Sequence, residues 1–159
     1  MQIIKNQKII EDPWQLLEVD EDFPDGDFII PFVRWKNERN ALKGRNGKLG
    51  ISINGDDDLD QLVEDLDHFA VIALEFPKYT DGRCFSYARL LRERYNYQGE
   101  LRAMGNILRD QMELLARCGI NAFVLGENEN LTEALNSFND ISVKYQSAAD
   151  AVEPLYRNR

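Results

Sequence analysis

Residues 70–104 read AVIALEFPKYTDGRCFSYARLLRERYNYQGELRAM, and their order decides the fold. The run AVIALEF is continuously apolar, as in a strand buried on both faces of a parallel sheet. FPKYTDGR is loop material, with Pro77 and Gly82 as breakers. From Cys84 to Tyr95 the residues Phe85, Ala88, Leu91 and Tyr95 recur on one side of a helix. Gly99 then ends a turn, and ELRAM is a second strand. Strand, helix and strand in that order form a parallel unit with a right-handed crossover.

The same unit repeats on both sides. Short apolar runs begin near residues 28, 49, 70, 100, 121 and 141. Helical spacing fills the gaps at 32–42, 59–66, 84–95, 106–118 and 131–138. Asp56–Asp58 suits the positive end of a helix dipole better than a metal site. Asn106 is the expected cap of the fourth helix, and Asn130 with Glu133 resembles a capping box for the last one. Strict alternation predicts an α/β fold with a parallel sheet of about six strands. Near-equal steps fit either a partial (βα) barrel with strands in sequential order or an open doubly wound sheet, and the barrel needs no reversal of order. The step from 70 to 100 is the long one. Its extra residues fall between Phe76 and Cys84, after a strand and before a helix.

The chain of 159 residues is expected to be a single domain. Residues 1–27 are a small hairpin turning at Asn6, followed by an irregular acidic segment. Trp14, Leu16, Leu17 and Val19 are expected to lay that segment over a core face. Residues 28–145 hold the repeats, and 146–159 form a tail. Leu62, Val63, Leu66, Ile72, Leu74, Leu91, Leu108, Met112, Leu115 and Phe123 are expected in the core.

A net charge of −9 opposes nucleic-acid binding. No apolar run is long enough to span a membrane, and the first residues lack a signal-peptide core, so a cytoplasmic location is expected. Cys84 and Cys118 form no CxxC pair and are expected to be free. The single histidine, His68, lies between a helix and the next strand, at the end of the fold opposite the long loop. No metal spacing, GxGxxG turn or Walker loop occurs, so the sequence signals no cofactor. No residue receives a catalytic role, and whether the chain is an enzyme stays open.

Parallel α/β folds bind ligands at the carboxyl ends of their strands. The long loop sits there, so it is the candidate site. Glu75 ends the strand, and Lys78, Tyr79, Asp81 and Arg83 follow in the loop, beside a helix N-terminus suited to an anion. Arg102, Asn106, Arg109 and Asp110 come from the next strand and helix. Arg102 needs a partner inside its strand, with Glu100 its nearest same-face neighbour, or an exit to solvent as a second arm of the anion site. The competing arrangement is an ion-pair cluster of Asp81, Arg83, Arg102 and Asp110 that only pins the loop. Cys84 follows Arg83 at the helix start, and an inert small residue is favoured there over an activated thiol.

The segments FPKYTDGR, LLRER, GELRAMG, LRDQ and RCGINAF resemble the signature of a bacterial family, domain-of-unknown-function family 934. The resemblance runs roughly from Phe28 to Leu125. The family pattern often carries glycine where this chain has Cys84. Members are described as oxidoreductases of sulfite reduction and tend to be encoded beside sulfite reductase. The resemblance therefore implies a role in sulfur assimilation. It would be that of an accessory protein binding an anionic metabolite or a pathway enzyme such as sulfite reductase, of an enzyme of the same pathway, or of a non-catalytic scaffold. Each of these readings is compatible with a homodimer.

Overall fold

The computed structural model describes residues 1–44, 47–139 and 149. Its spine is the sequence of parallel strands expected from the repeat. These are β4 (Phe28–Pro31), β5 (Leu49–Ile53), β6 (Phe69–Phe76), β7 (Glu100–Gly105) and β8 (Ala122–Phe123), each hydrogen-bonded to the next. The order is sequential, which selects the partial barrel over the doubly wound sheet. Among the described residues the sheet has eight strands in the order β2-β1-β8-β7-β6-β5-β4-β3 and curls as a half-barrel. The strand expected near 141 lies outside the described residues.

The N-terminal part is more ordered than its sequence suggests. β1 (Gln2–Lys5) and β2 (Lys8–Glu11) form the hairpin, and Asn6 and Gln7 take positive φ in its two-residue turn. β1 also pairs antiparallel with β8, so the hairpin extends the main sheet. The acidic segment holds a further strand, β3 (Gln15–Leu16), parallel to β4 at the opposite edge. Trp14 packs on the sheet and Leu17 is buried, but Leu16 and Val19 are 46% exposed.

Among the described residues the helices pack on one face, carried there by right-handed crossovers where they join two strands. They are α1 (Phe32–Lys43), a 3-10 helix (Leu59–His68), α2 (Arg83–Glu93), α3 (Met112–Arg117) and α4 (Leu131–Asn136). The core lies between them and the sheet. Ile30, Ile51, Ile72, Leu74, Leu101 and Phe123 meet Trp35, Leu62, Leu66, Leu91, Met112 and Leu115. In α2 the buried residues Cys84, Ala88 and Leu91 follow the i, i+4, i+7 stripe of an amphipathic helix. Gly119, at φ +102, ends α3, with Ile120 N–H donating to Leu115 O and Gly119 N–H to Ala116 O. This is a Schellman motif, which a side chain at Gly119 would strain. Asp58 caps the 3-10 helix through Asp60 N–H, and Asn130 caps α4 through Thr132 and Glu133 N–H.

Two expected core residues move. Leu108 is 45% exposed and Val63 is half-buried. A 3-10 turn (Arg109–Gln111) precedes α3, so Leu108 stands outside the helix and out of phase with Met112 and Leu115. Asn106 therefore does not cap that helix.

The other face of the sheet is concave. Side chains alternate across each strand, so register neighbours share this face. One rung holds Ile29, Gly50, Val71 and Glu100, the next Pro31, Ser52, Ala73 and Arg102, and the last Glu75 and Met104. A Cβ at Gly50 would stand 2.7 Å from Ile29 Cγ1 and 3.3 Å from Val71 Cβ, so the neighbouring strands close over this position. Trp14 covers Ile29, Val71 and Ala73 from outside the sheet.

Candidate functional site

Loop 77–82 stands at the carboxyl end of β6, where the alternation of strand and helix put it. Two hydrogen bonds tie it to the segment after β7. Asn106 Nδ2 donates to Pro77 O at 2.7 Å, and Gln111 Nε2 donates to Tyr79 O at 2.9 Å. Asn106 N–H also donates to Phe76 O at 2.8 Å.

Arg83 anchors the other end of the loop. Its Nε and Nη2 donate to Asp81 at 3.0 and 2.7 Å, and its Nη1 pairs with Asp56 from the turn after β5. The backbone N–H of Arg83 donates to Asp81 as well. These bonds from Arg83 hold the Asp81 carboxyl down at about 2, and the two carboxylates raise the Arg83 guanidinium above its usual range. Asp81 thus occupies the start of α2, where an incoming oxyanion would sit. Cys84 is buried, and its thiol faces Glu75 O at 3.3 Å. Burial, then the Asp81 charge, pushes that thiol up to about 12, so it stays protonated at neutral pH.

Of the expected site residues, Lys78, Tyr79 and Asp81 lie in the loop and Arg83 at the start of α2, Asn106 is bonded to Pro77 O, Arg109 and Asp110 lie in the 3-10 turn whose Gln111 is bonded to Tyr79 O, and Glu75 lines the cleft. The side chains of Lys78 and Asp110 make no hydrogen bond or ion pair among the described residues. Arg109 reaches Glu133 at 3.5 Å. Tyr79 is 57% exposed.

Arg102 does not emerge at the rim. It points into the concave face, where Nη1 and Nη2 donate to the two oxygens of Asp12 at 2.7 and 2.9 Å. Its Nε donates to Glu100 at 2.8 Å, and Lys5 completes the network on Glu100 at 2.7 Å. Arg102, Asp12 and Glu100 all have side chains at most 5% exposed. The two ends of the ion-pair cluster expected from the sequence are therefore separate. Asp81 and Arg83 pair on the rim with Asp56, and Arg102 pairs inside with Asp12 and Glu100.

Above the Arg102 network the concave face opens into a cleft of about 340 Å³ at the carboxyl ends of β4–β7. Leu16, Pro31, Ser52, Glu75, Met104 and Asn106 are among its lining residues, with Glu18 at the same wall. Ser52 and Glu18 carried no signal in the sequence reading. A lone serine inside the apolar strand LGISI was the available clue to Ser52.

The opposite end of the fold holds His68, tilted against Trp35 with ring centroids 6.1 Å apart. Nearby, the buried Asp65 accepts from Trp35 Nε1 at 3.1 Å and from Arg39 at 2.7 Å, and pairs with Lys43 at 2.8 Å. Burial alone would raise this carboxyl, but the bonds from Lys43, Arg39 and Trp35 outweigh it and hold it below the ordinary value. This cluster joins α1 to the 3-10 helix. Among the described residues no three histidine, cysteine or acidic side chains group as a metal site, and no helix is long and apolar enough to cross a membrane. Both cysteines are free.

No curated protein and no solved structure matches the chain. A family described as "Bacterial protein of unknown function (DUF934)" matches residues 50–156, which take in the strands from β5 onward, the rim loop and the cleft residues Ser52, Glu75 and Asn106. The chain belongs to that family.

Proposed function

We propose that the protein is an accessory factor of assimilatory sulfite reduction that holds a pathway enzyme against the rim formed by loop 77–82 and the segment after β7. The sulfur setting rests on the resemblance of the FPKYTDGR to RCGINAF segments to proteins described in that pathway. The observation that carries the docking role is the construction of the rim. Its backbone is pinned by Asn106 and Gln111, while Tyr79 and Leu108 stand 57% and 45% exposed beside the outward charges of Lys78 and Asp110. A preorganised surface with an exposed aromatic loses little freedom when a partner docks.

The test is co-precipitation with purified sulfite reductase. Wild type retains the enzyme and a Tyr79→Ala/Leu108→Ala double variant releases it. Equal retention by both proteins, or by neither, would reject the rim as the docking surface.

Oxyanion capture at Arg83 is the second reading, favoured by the half-exposed guanidinium at the start of α2. A sulfite or phosphosulfate group would have to displace Asp81 and Asp56. Calorimetric titration with sulfite and with adenosine phosphosulfate decides it. Heat that saturates for wild type and vanishes in Arg83→Ala supports capture, and no heat at millimolar concentration excludes it. If the chain is instead an oxidoreductase of the pathway, the purified protein should carry a flavin or other visible absorbance band.

A further inference from the structure

The upper concave face contains polar groups that the fold leaves unused. Ser52 is only 3% exposed and lines the cleft, and its hydroxyl makes no hydrogen bond among the described residues. Its oxygen is not among the enclosed polar atoms left without a partner, so it opens on the cleft, where the polar group of a ligand can reach it. Glu75, half-buried on the same face, also has no side-chain partner among the described residues. Glu18 stands at the wall, its carboxylate free of ion pairs among the described residues. Asn106 spends its amide N–H on Pro77 O and leaves its side-chain oxygen without a donor. The cleft therefore offers acceptors and negative charge but no cation. Arg102, the nearest buried cation by register, is fully engaged below with Asp12 and Glu100. Its walls are apolar, from Leu16, Pro31 and Met104.

The spacing defines what fits. Ser52 pairs with Ala73, and Glu75 stands two residues further along β6 on the same face. Two residues along a strand and one strand across separate the two positions by roughly 8 Å. We propose that the cleft binds a small primary amine, its ammonium on the Glu75 carboxylate, its carbon chain between Leu16, Pro31 and Met104, and a polar tail on the Ser52 hydroxyl. The positive ligand pairs with the carboxylate through charge-assisted hydrogen bonds, and the tail meets the Ser52 hydroxyl where it opens on the cleft. The site lies where parallel α/β sheets place ligands, and it is distinct from the exposed rim proposed for docking.

The probe is 5-amino-1-pentanol, compared with the neutral pentane-1,5-diol and the anionic 5-hydroxypentanoate, titrated into the full-length protein and followed by amide chemical shifts. The amine should saturate at low millimolar concentration, on the order of 1 mM, with shifts centred on Ser52, Glu75 and Met104. The diol should bind weakly and the anion not at all. Glu75→Gln should weaken the amine by about tenfold or more, the loss of one charge-assisted bond, and Ser52→Ala by a few-fold. Both variants should melt within about two degrees of wild type or slightly above it, because neither group has a partner to lose. The proposal is overturned if the amine fails to saturate at about fifty times that concentration, or if the anion binds as well as the amine. Equal amine binding by Glu75→Gln, or a melting temperature far below wild type in that variant, overturns it too.

Discussion

The lower and upper halves of the concave face are built from the same strands, yet they treat polar groups in opposite ways. In the lower half Arg102, Asp12, Glu100 and Lys5 close a network in which each charge has a partner within 2.9 Å. In the upper half Ser52 and Glu75 have none. Burial of the whole residue is comparable at Arg102 and Ser52, 2% and 3% exposed, but the Ser52 oxygen and the half-buried Glu75 open on the cleft while the Arg102 guanidinium is enclosed by its partners. Complete pairing marks the half that holds the N-terminal segment on the sheet. Incomplete pairing marks the half open to the carboxyl ends of the strands.

The largest way to break this contrast is at Asp12. Asp12→Ala leaves Arg102 buried with one carboxylate fewer, and should cost about 3–5 kcal/mol, read as a fall in the urea midpoint. A small loss would mean that Arg102 finds water, and that the lower half is not sealed. Gly50→Ala tests the tightness of the same half from below. The added methyl meets Ile29 and Val71, so the loss should be about 1–3 kcal/mol, and a neutral result would show that the sheet can open there.

Asp65 offers a control away from the concave face, since it too is buried and fully paired. Its carboxyl is held below the ordinary 3.8. A depressed folded value adds stability above the unfolded value and loses it as pH falls through the folded one. Asp65→Asn should therefore lower stability by about 1–3 kcal/mol near neutral pH, with the gap to wild type closing as pH falls through the lowered folded value. An undiminished gap in acid would assign the loss to packing instead. The upper half predicts a near-null effect. Glu75→Gln should change stability by no more than about 0.5 kcal/mol, and a larger loss would mean that the carboxylate supports the fold. The smallest effect is expected on the exposed rim. Arg83→Ala should shift the melting temperature slightly, and the shift should disappear at high salt as exposed ion pairs are screened.

The repeat of about 21 residues made the parallel strands and their helices legible, because each apolar run marks a strand and each breaker a turn. It did not choose between a partial barrel and a reversed order, which depends on how neighbours pack. The 59–66 spacing signalled a helix but did not distinguish 3-10 from α, since Leu59 and Leu62, three residues apart, face nearly the same side in both. β3 is two residues long and left no pattern to find. The loop at 77–82 was legible as the long step, and its link to Asn106 and Gln111 was not, because side-chain bonds to loop carbonyls leave no periodicity. Glu100 was readable as a partner of Arg102 from alternation alone. Asp12 was not, being ninety residues away in the chain.

That separation bears on how the molecule is made. β1 pairs with β8, and Asp12 with Arg102, so residues synthesised well before β7 and β8 must wait for them to find their places. Until β7 and β8 are synthesised, Asp12, Trp14 and the hairpin have no sheet to join. Contacts of such long range slow folding, because a long loop must close before they contribute. Truncated chains ending before β7 would expose the apolar strand β6 along an unpaired edge, the form of a nascent domain most prone to aggregate.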